Sequence, residues 1–523
     1  MSKFHSTVSR RDFMKGLGFG AAGLGAAGAA VPVIHDLDEL ISAPQSLRKR
    51  AWWIKEVDEP TVEIDWNLMA RHHGFHSAQS GAILSRYVQD GPAGYSAIGA
   101  AGNAAITTGV QANKPGLTLR DLALANASPG LAFKSARTDK FEDSRVGIFG
   151  LRTPADYGVP KWSGSPEENT RMMKAAMAFF GASDIGASEM DEHHKKLVGT
   201  HGDNIPQSYW PFGSSPKWPP PDSVTQPINF GSNWDYDNAT GTTTIPDHGV
   251  YSISYIIPQS NEMFRTTPQS ALFRASNISR YRLRENVRWS TQTFLRGLGY
   301  TCMYDEPYRG IPSAAGACLT GLTENSRQTN MALSPEHGST VGLYEVLTDL
   351  PMEPTKPIDA GMWKFCQTCG VCAAHCPSDA IEKKGEREPS FEPYPPKLTA
   401  YWPELPGLGF DSPSPGEVEY NKVGRKTYWT DGVACRLFFD SIPCGCAICF
   451  GTCTFNSQYT AMIHDVVRAT AATTSLFNGF FAQMSETFRM GLKEGEAKEE
   501  WWGMSLPSYS YDTSVGAKHG GYR

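Results

Sequence analysis

Apolar positions recur at helical spacing in two stretches of the chain. In residues 166–180, Met172, Ala176 and Phe179 are spaced for one helix face, and Pro166, Glu167 and Glu168 suit a first turn. Residues 278–297 predict a second helix, stopped near Gly297 and Gly299. Residues 249–258, with Val250, Ile253, Ile256 and Ile257, predict a buried strand. Residues 459–493 predict further helix. Between these, residues 44–160 mix short helical patterns with Gly-rich loops such as 91–116, and residues 202–248 and 304–340 read as long loops. Prolines punctuate 351–357, and the tail from Pro507 is polar and Gly-rich. No internal repeat emerges.

A chain of 523 residues with 40% hydrophobic residues fits a main domain with a sizeable core plus a smaller one. The 48 basic and 54 acidic residues give a net charge of −6, with no long basic run beyond Arg48–Arg50. That excludes nucleic acid as the main partner, because phosphate binding needs clustered Lys and Arg. The N-terminus reads as an address: Arg10-Arg11 in a basic segment, then a Gly- and Ala-rich stretch, 16–33, free of charge. Paired arginines point to the twin-arginine route, whose cargo crosses folded. The stretch is too rich in Gly for an anchor, and no other segment predicts a span. Cleavage after Ala27-Gly28-Ala29 and cleavage near Ser42-Ala43 both fit, and residues 1–43 are assigned to this signal peptide.

Nine of the 11 cysteines fall between Cys366 and Cys453. Thiols crowded into one window of a large protein point to metal ligation rather than a disulfide framework. Cys366, Cys369, Cys372 and Cys376-Pro377 form C-x2-C-x2-C-x3-C-P, the bacterial ferredoxin signature. Zinc favours paired C-x2-C units instead. A second set comprises Cys435, Cys444, Cys446, Cys449 and Cys453, in which Cys446, Cys449 and Cys453 carry the x2, x3 spacing. Since the fourth cysteine of such a motif ligates the other cluster, Cys366, Cys369, Cys372 and Cys453 are expected to hold one [4Fe–4S] cluster. Cys376, Cys435, Cys446 and Cys449 are expected to hold the second. Cys444 competes with Cys446 or Cys435, and Thr454 stands where a proline is usual. Two clusters make an electron wire, and a chain this long implies a further redox cofactor.

The twin-arginine leader and two ferredoxin motifs near the C-terminus resemble the reductive dehalogenase family. Further stretches agree in order: Leu298-Gly299-Tyr300, Ser334-Pro335-Glu336-His337-Gly338, Thr348-Asp349-Leu350-Pro351, Pro357-Ile358-Asp359-Ala360-Gly361, and residues 474–481. The resemblance is strong over 1–15 and 278–481 and thin over 44–270. It implies an α+β fold: a nitroreductase-like α/β corrinoid-binding core over 44–350, an inserted ferredoxin-like two-cluster module over 351–456, and a C-terminal helical extension, 457–523, packing back on the core. It implies a base-off corrinoid of the cobalamin type. Asp191-Glu192-His193 approaches a D-x-H-x-x-G corrinoid motif, but Lys196 replaces its Gly, and these residues read as a solvated charged face.

The resemblance also places the proton donor at Tyr281, on the helix leading to Tyr300, with Tyr300 and Tyr304 as the next candidates. Arg327 is the expected supporting cation, and His337 is expected to be structural. The implied activity replaces halogen by hydrogen in a small halogenated organic such as a chlorinated ethene, as the terminal step of anaerobic organohalide respiration. The implied partners are an upstream respiratory electron donor and a small hydrophobic membrane-anchor protein. The anchor would hold the enzyme peripherally at the outer face of the cytoplasmic membrane. Two other readings fit parts of the sequence: a periplasmic iron–sulfur electron-transfer subunit, and a corrinoid enzyme like the queuosine-precursor reductase.

Overall fold

A computed structural model describes residues 50–72, 84, 88, 90–127, 152–202, 226–237, 239–304, 310–328, 331–393, 422–456, 462–487 and 491–503. The leader, with its paired arginines and both cleavage options, lies outside the described residues. At the centre is a four-stranded antiparallel sheet of β1 (Asp184–Glu189), β2 (Tyr251–Pro258), β3 (Cys302–Tyr304) and β4 (Val341–Thr348), in spatial order β1-β2-β4-β3. Glu189 pairs with Tyr251, Tyr255 with Tyr344, and Thr348 with Cys302. Antiparallel pairing, with helices laid on the sheet, makes the fold α+β.

Alternation along the strands divides the two faces. Ile253, Tyr255, Tyr344 and Val346 point into the main core with Met173, Met177, Val287 and Leu295. Met173 and Met177 come from helix α1 (Pro166–Phe180), and Val287 and Leu295 from helix α2 (Ala271–Leu298). On the opposite face Ile256 and Val341 pack on Ala317 and Leu322. Both faces are buried, and the polar Ser252 within the strand donates to the buried Glu345 carboxylate.

Helix α1 has the bounds its sequence predicts. Ser165 accepts the Glu168 N–H as N-cap, Pro166 opens the first turn, and Gly181 at φ +113° ends it. Helix α2 begins seven residues before the predicted start. It ends at Gly299, φ +91°, where an added Cβ would stand 2.7 Å from Lys161 Cβ.

Two predicted loops are regular structure. Residues Gly91–Gln111 form a helix. Gly102 permits a close contact: a Cβ there would lie 2.8 Å from the Asp440 carbonyl oxygen, so this helix packs backbone-close on helix Gly432–Ser441. Within 202–248, strands Ile228–Gly231, Asp235–Asp237 and Thr242–Pro246 form a small sheet. These strands are too short and too rich in Asn, Asp and Thr to show an apolar alternation.

Elements far apart in the chain interleave around the cysteine window. Strand Lys55–Glu56 pairs with Ile358–Asp359. Helix Asn478–Thr487, in the predicted C-terminal extension, packs on helix Met362–Cys369. Residues 51–523 form one compact unit. Among the described residues, no helix is long and apolar enough to cross a membrane.

Candidate functional site

The first cysteine motif is built by two helices and a left-handed hinge. Cys366 and Cys369 sit on helix Met362–Cys369. Gly370, at φ +74°, turns the chain into helix Val371–Ala374, which carries Cys372. From the second motif, Cys453 follows helix Ile448–Gly451. Cys366, Cys369, Cys372 and Cys453 line one cavity, with Cys449, Arg327, Gln328 and Thr454 also on its wall and Met331, Leu333, Phe365 and Phe455 closing it.

Burial and then the neighbouring Cys453, Cys369 and Cys372 push the Cys366 thiol well above its ordinary range. Cys435, held on helix Gly432–Ser441, is pushed up to about 12 by burial and then by Cys446 and Cys376. Cys446 is likewise pushed up to about 12, again with Cys376 beside it. Burial raises Cys449 too, followed by the influence of Cys435 and Cys446. The thiols therefore fall into two foursomes, joined where Cys449 borders the first cavity.

Cys444 faces elsewhere. It adopts φ +61° and Gly445 φ +82°, and a Cβ on Gly445 would meet the Phe439 ring. This turn buries Cys444 among Leu117, Met263 and Leu272, with Arg274 as its charged neighbour.

No three Cys, His, Asp or Glu side chains among the described residues converge closely enough to hold a single ion. The thiols instead stand around space. Buried thiols keep their protons until a cationic group replaces them. An all-thiol donor set around a cavity suits an extended iron–sulfur cluster better than one zinc.

Tyr281 lies midway along α2. The Arg280 guanidinium donates to its hydroxyl at 2.8 Å and also lies over its ring, 4.6 Å from the centroid. Arg284 covers the ring from 5.0 Å. Arg280 is the main reason the phenol sits below its ordinary range; burial opposes it, and Arg284 and Arg436 assist. Residues 277–285 of α2 are all half-accessible, although Tyr281 is strongly desolvated.

The charge of Arg436 acts on both the phenol and Cys435. Arg436 follows Cys435 on helix Gly432–Ser441 and donates to Asp440 at 2.9 Å. Tyr95 donates to the same carboxylate at 2.8 Å.

Arg327 does not support Tyr281, and that expectation is corrected. Its guanidinium donates to the carbonyls of Cys366 at 3.1 Å, Gln367 at 3.0 Å and Glu382 at 2.8 Å, and stacks on Tyr428 at 3.8 Å. Three carbonyls, two of them in the cysteine loop, hold its guanidinium, so its place is in the frame of the first foursome. Residue 280 carries the cation at the phenol. An arginine next to its target shows no spacing signal, because neighbours at i,i+1 on a helix do not normally face each other.

The other sequence-named residues are engaged locally. Tyr300 donates to the Trp162 carbonyl at 2.7 Å, and Tyr304 ends β3. His337 sits in a turn whose Ser334 hydroxyl accepts its N–H. Asp191, Glu192 and His193 are exposed, and Asp191 caps its own short helix and pairs with His194 at 2.6 Å. Unforeseen is Glu324, a buried carboxylate accepting from Thr61 at 2.6 Å and from the N–H groups of Ala360 and Met362. Burial pushes it up to about 6 despite those bonds. Lys422 and Arg425 were also unforeseen; both are half-accessible, yet burial pulls them below their ordinary values.

Comparison with known proteins gives this frame a lineage. The chain is 29% identical over 585 residues to a trichloroethene reductive dehalogenase of Dehalococcoides mccartyi, covering 97% of this chain and 98% of that one. It is 29% identical over 566 residues to a chloroethene reductive dehalogenase of the same species, covering 98% and 99%. A tetrachloroethene reductive dehalogenase of Sulfurospirillum multivorans matches at 28% over 257 residues, 49% of this chain and 45% of that one.

Among solved structures, the catabolic reductive dehalogenase NpRdhA superposes with a TM-score of 0.53 at 16% identity, over 87% of this chain and 52% of that chain. A reductive dehalogenase whose structure suggests a mechanism for B12-dependent dehalogenation superposes at 0.51 and 15%, over 87% and 51%. This chain thus spans about half the length of those solved chains, and at such identity the likeness speaks for the fold. A family model described as the reductive dehalogenase subunit matches residues 49–352, more than half of the sequence, and the chain therefore belongs to the reductive dehalogenase family.

Proposed function

We propose that this protein replaces halogen by hydrogen in a small halogenated organic of the chlorinated-ethene type, using a corrinoid and two [4Fe–4S] clusters. The observation that carries the reading is the Arg280–Tyr281 pair, a phenol whose hydroxyl accepts from a guanidinium, within reach of the Arg436 charge that also acts on Cys435. The substrate class follows the nearly full-length likeness to chloroethene and trichloroethene dehalogenases.

When bound, the corrinoid supplies a low-valent cobalt able to break a carbon–halogen bond, and the clusters supply its electrons. Cys366, Cys369, Cys372 and Cys453 would hold one cluster, and Cys376, Cys435, Cys446 and Cys449 the other. The balance is two electrons and one proton per halide released. Tyr281 gives the proton, and its phenolate is stabilised by the Arg280 guanidinium at the hydroxyl. A buried acid of this kind keeps bulk water away from the reducing centre while still delivering a proton.

The distribution of groups also favours a direction for electrons: in at the Cys366 foursome, onward past Cys449, and out from the Cys435 foursome that shares a helix with Arg436. A respiratory donor would feed the first. The leader would export the folded enzyme, and a small hydrophobic protein would hold it at the outer face of the cytoplasmic membrane.

The test is anaerobic reconstitution of the full chain, with iron, corrinoid and halide release measured on one preparation against a panel of halocarbons. Eight irons, one corrinoid and halide release support the proposal. About four irons with no corrinoid would sink it. Changing Arg10 and Arg11 together to Lys should leave the protein in the cytoplasm; unchanged export would remove that part.

A further inference from the structure

The first cysteine motif ends in Cys376-Pro377 and the second in Cys453-Thr454. Proline offers neither an N–H nor a polar side chain, whereas threonine brings a hydroxyl. Thr454 opens the turn Thr454–Asn456. Its Oγ1 lies 3.7 Å from Cys369 Sγ, on the wall of the cavity shared by Cys366, Cys369, Cys372 and Cys453. The contact crosses from one motif to the other.

A cysteine that binds iron does so as thiolate and has no proton to give. In the loaded protein the Thr454 hydroxyl must therefore be the donor of this pair. Reduction adds negative charge to a cluster and its sulfurs, so a donor at a sulfur stabilises the reduced form more than the oxidised one. Hydrogen bonds to the sulfurs are among the factors that set the potentials of such clusters.

We propose that the Thr454 hydroxyl donates to the Cys369 sulfur and raises the reduction potential of the cluster held by Cys366, Cys369, Cys372 and Cys453. The inference rests on the cluster assignment above. Reduction takes one electron from the external reductant, and Thr454 keeps its proton throughout. Thr454 acts through the sulfur, as a tuning residue, and touches no substrate.

The experiment is a potentiometric titration of the anaerobically reconstituted full chain, followed by electron paramagnetic resonance, with iron and sulfide measured in parallel. Thr454→Val and Thr454→Pro both lack the hydroxyl, and proline is the residue usual at this place. Both variants should shift one midpoint downward and leave the other unmoved, while Thr454→Ser should stay near wild type. An unmoved midpoint in either hydroxyl-free variant at full iron content overturns the proposal, as does a serine variant that shifts as far as valine. Loss of iron from both hydroxyl-free variants would make the hydroxyl structural and also overturn it. Fewer than two clusters in the wild type would instead remove the cluster assignment itself.

Discussion

The Arg280 guanidinium donates to the hydroxyl of Tyr281, the next residue in the chain, at 2.8 Å, and its Cζ lies 4.6 Å from the centre of the same ring. The arginine folds back over its neighbour because both side chains are enclosed. A cation placed this way favours phenolate and so makes Tyr281 a stronger acid than a free tyrosine.

The first prediction concerns that pair. Tyr281→Phe keeps the ring, so iron and corrinoid content should remain near wild type while turnover falls by about 10²–10⁴-fold, the usual worth of a positioned general acid. Arg280→Gln removes the first cause of the lowered phenol value, so the Tyr281 pKa should rise. The alkaline limb of the rate profile should then move to higher pH and the maximal rate fall. Near-normal turnover of Tyr281→Phe at full cofactor occupancy would exclude Tyr281 as donor.

A second prediction separates two neighbouring cysteines. Cys444 faces Arg274 and an apolar cluster, whereas Cys446 stands with Cys435 and Cys376. Cys444→Ser should keep eight irons per chain; Cys446→Ser should lose or convert one cluster. Electron paramagnetic resonance of the two reduced variants reads the difference, and the reverse pattern would move the ligand to Cys444.

Arg327→Met tests the frame of the first foursome. Three carbonyls lose a charged donor, and hydrogen bonds to charged groups contribute roughly 1.5–3 kcal/mol each. The variant should lose stability by about 3 kcal/mol or more, together with iron from one cluster, while the alkaline limb governed by Tyr281 stays in place. A shift of that limb without iron loss would return Arg327 to the phenol.

The fourth prediction is a pH dependence. Burial raises Glu324 to about 6, above a free glutamate near 4.3. Between those values the folded state binds more protons than the unfolded one, so this group's contribution to stability declines as pH rises through the window and levels off above it. The raised value corresponds to about 2 kcal/mol. Glu324→Gln retains an acceptor for Ala360 and Met362 and removes the titration. The variant should therefore gain about 2 kcal/mol relative to wild type between pH 4.5 and 7 in anaerobic denaturation. A constant difference across that range would mean that Glu324 is ionised throughout.

Local sequence chemistry was enough for helix Pro166–Phe180, because Ser165, Pro166 and Gly181 supply the start and stop within the segment. It was enough to find eight ligand-spaced thiols, because cluster loops need their cysteines at fixed short intervals. It also located the strand Tyr251–Pro258, whose Ile253, Ile256 and Ile257 are fully buried. Tertiary structure alone decided the rest. Gly102 of Gly91–Gln111 reads as a loop former until helix Gly432–Ser441 is seen packed against it, since close approach has no local signature. Spacing favours Cys446 but leaves Cys444 in competition, and two successive left-handed residues set Cys444 among Leu117, Met263 and Leu272. Arg280 and Arg327 are equally charged, but a guanidinium acts where its donors end: three carbonyls hold that of Arg327 at the cysteine loop, and enclosure folds that of Arg280 onto Tyr281.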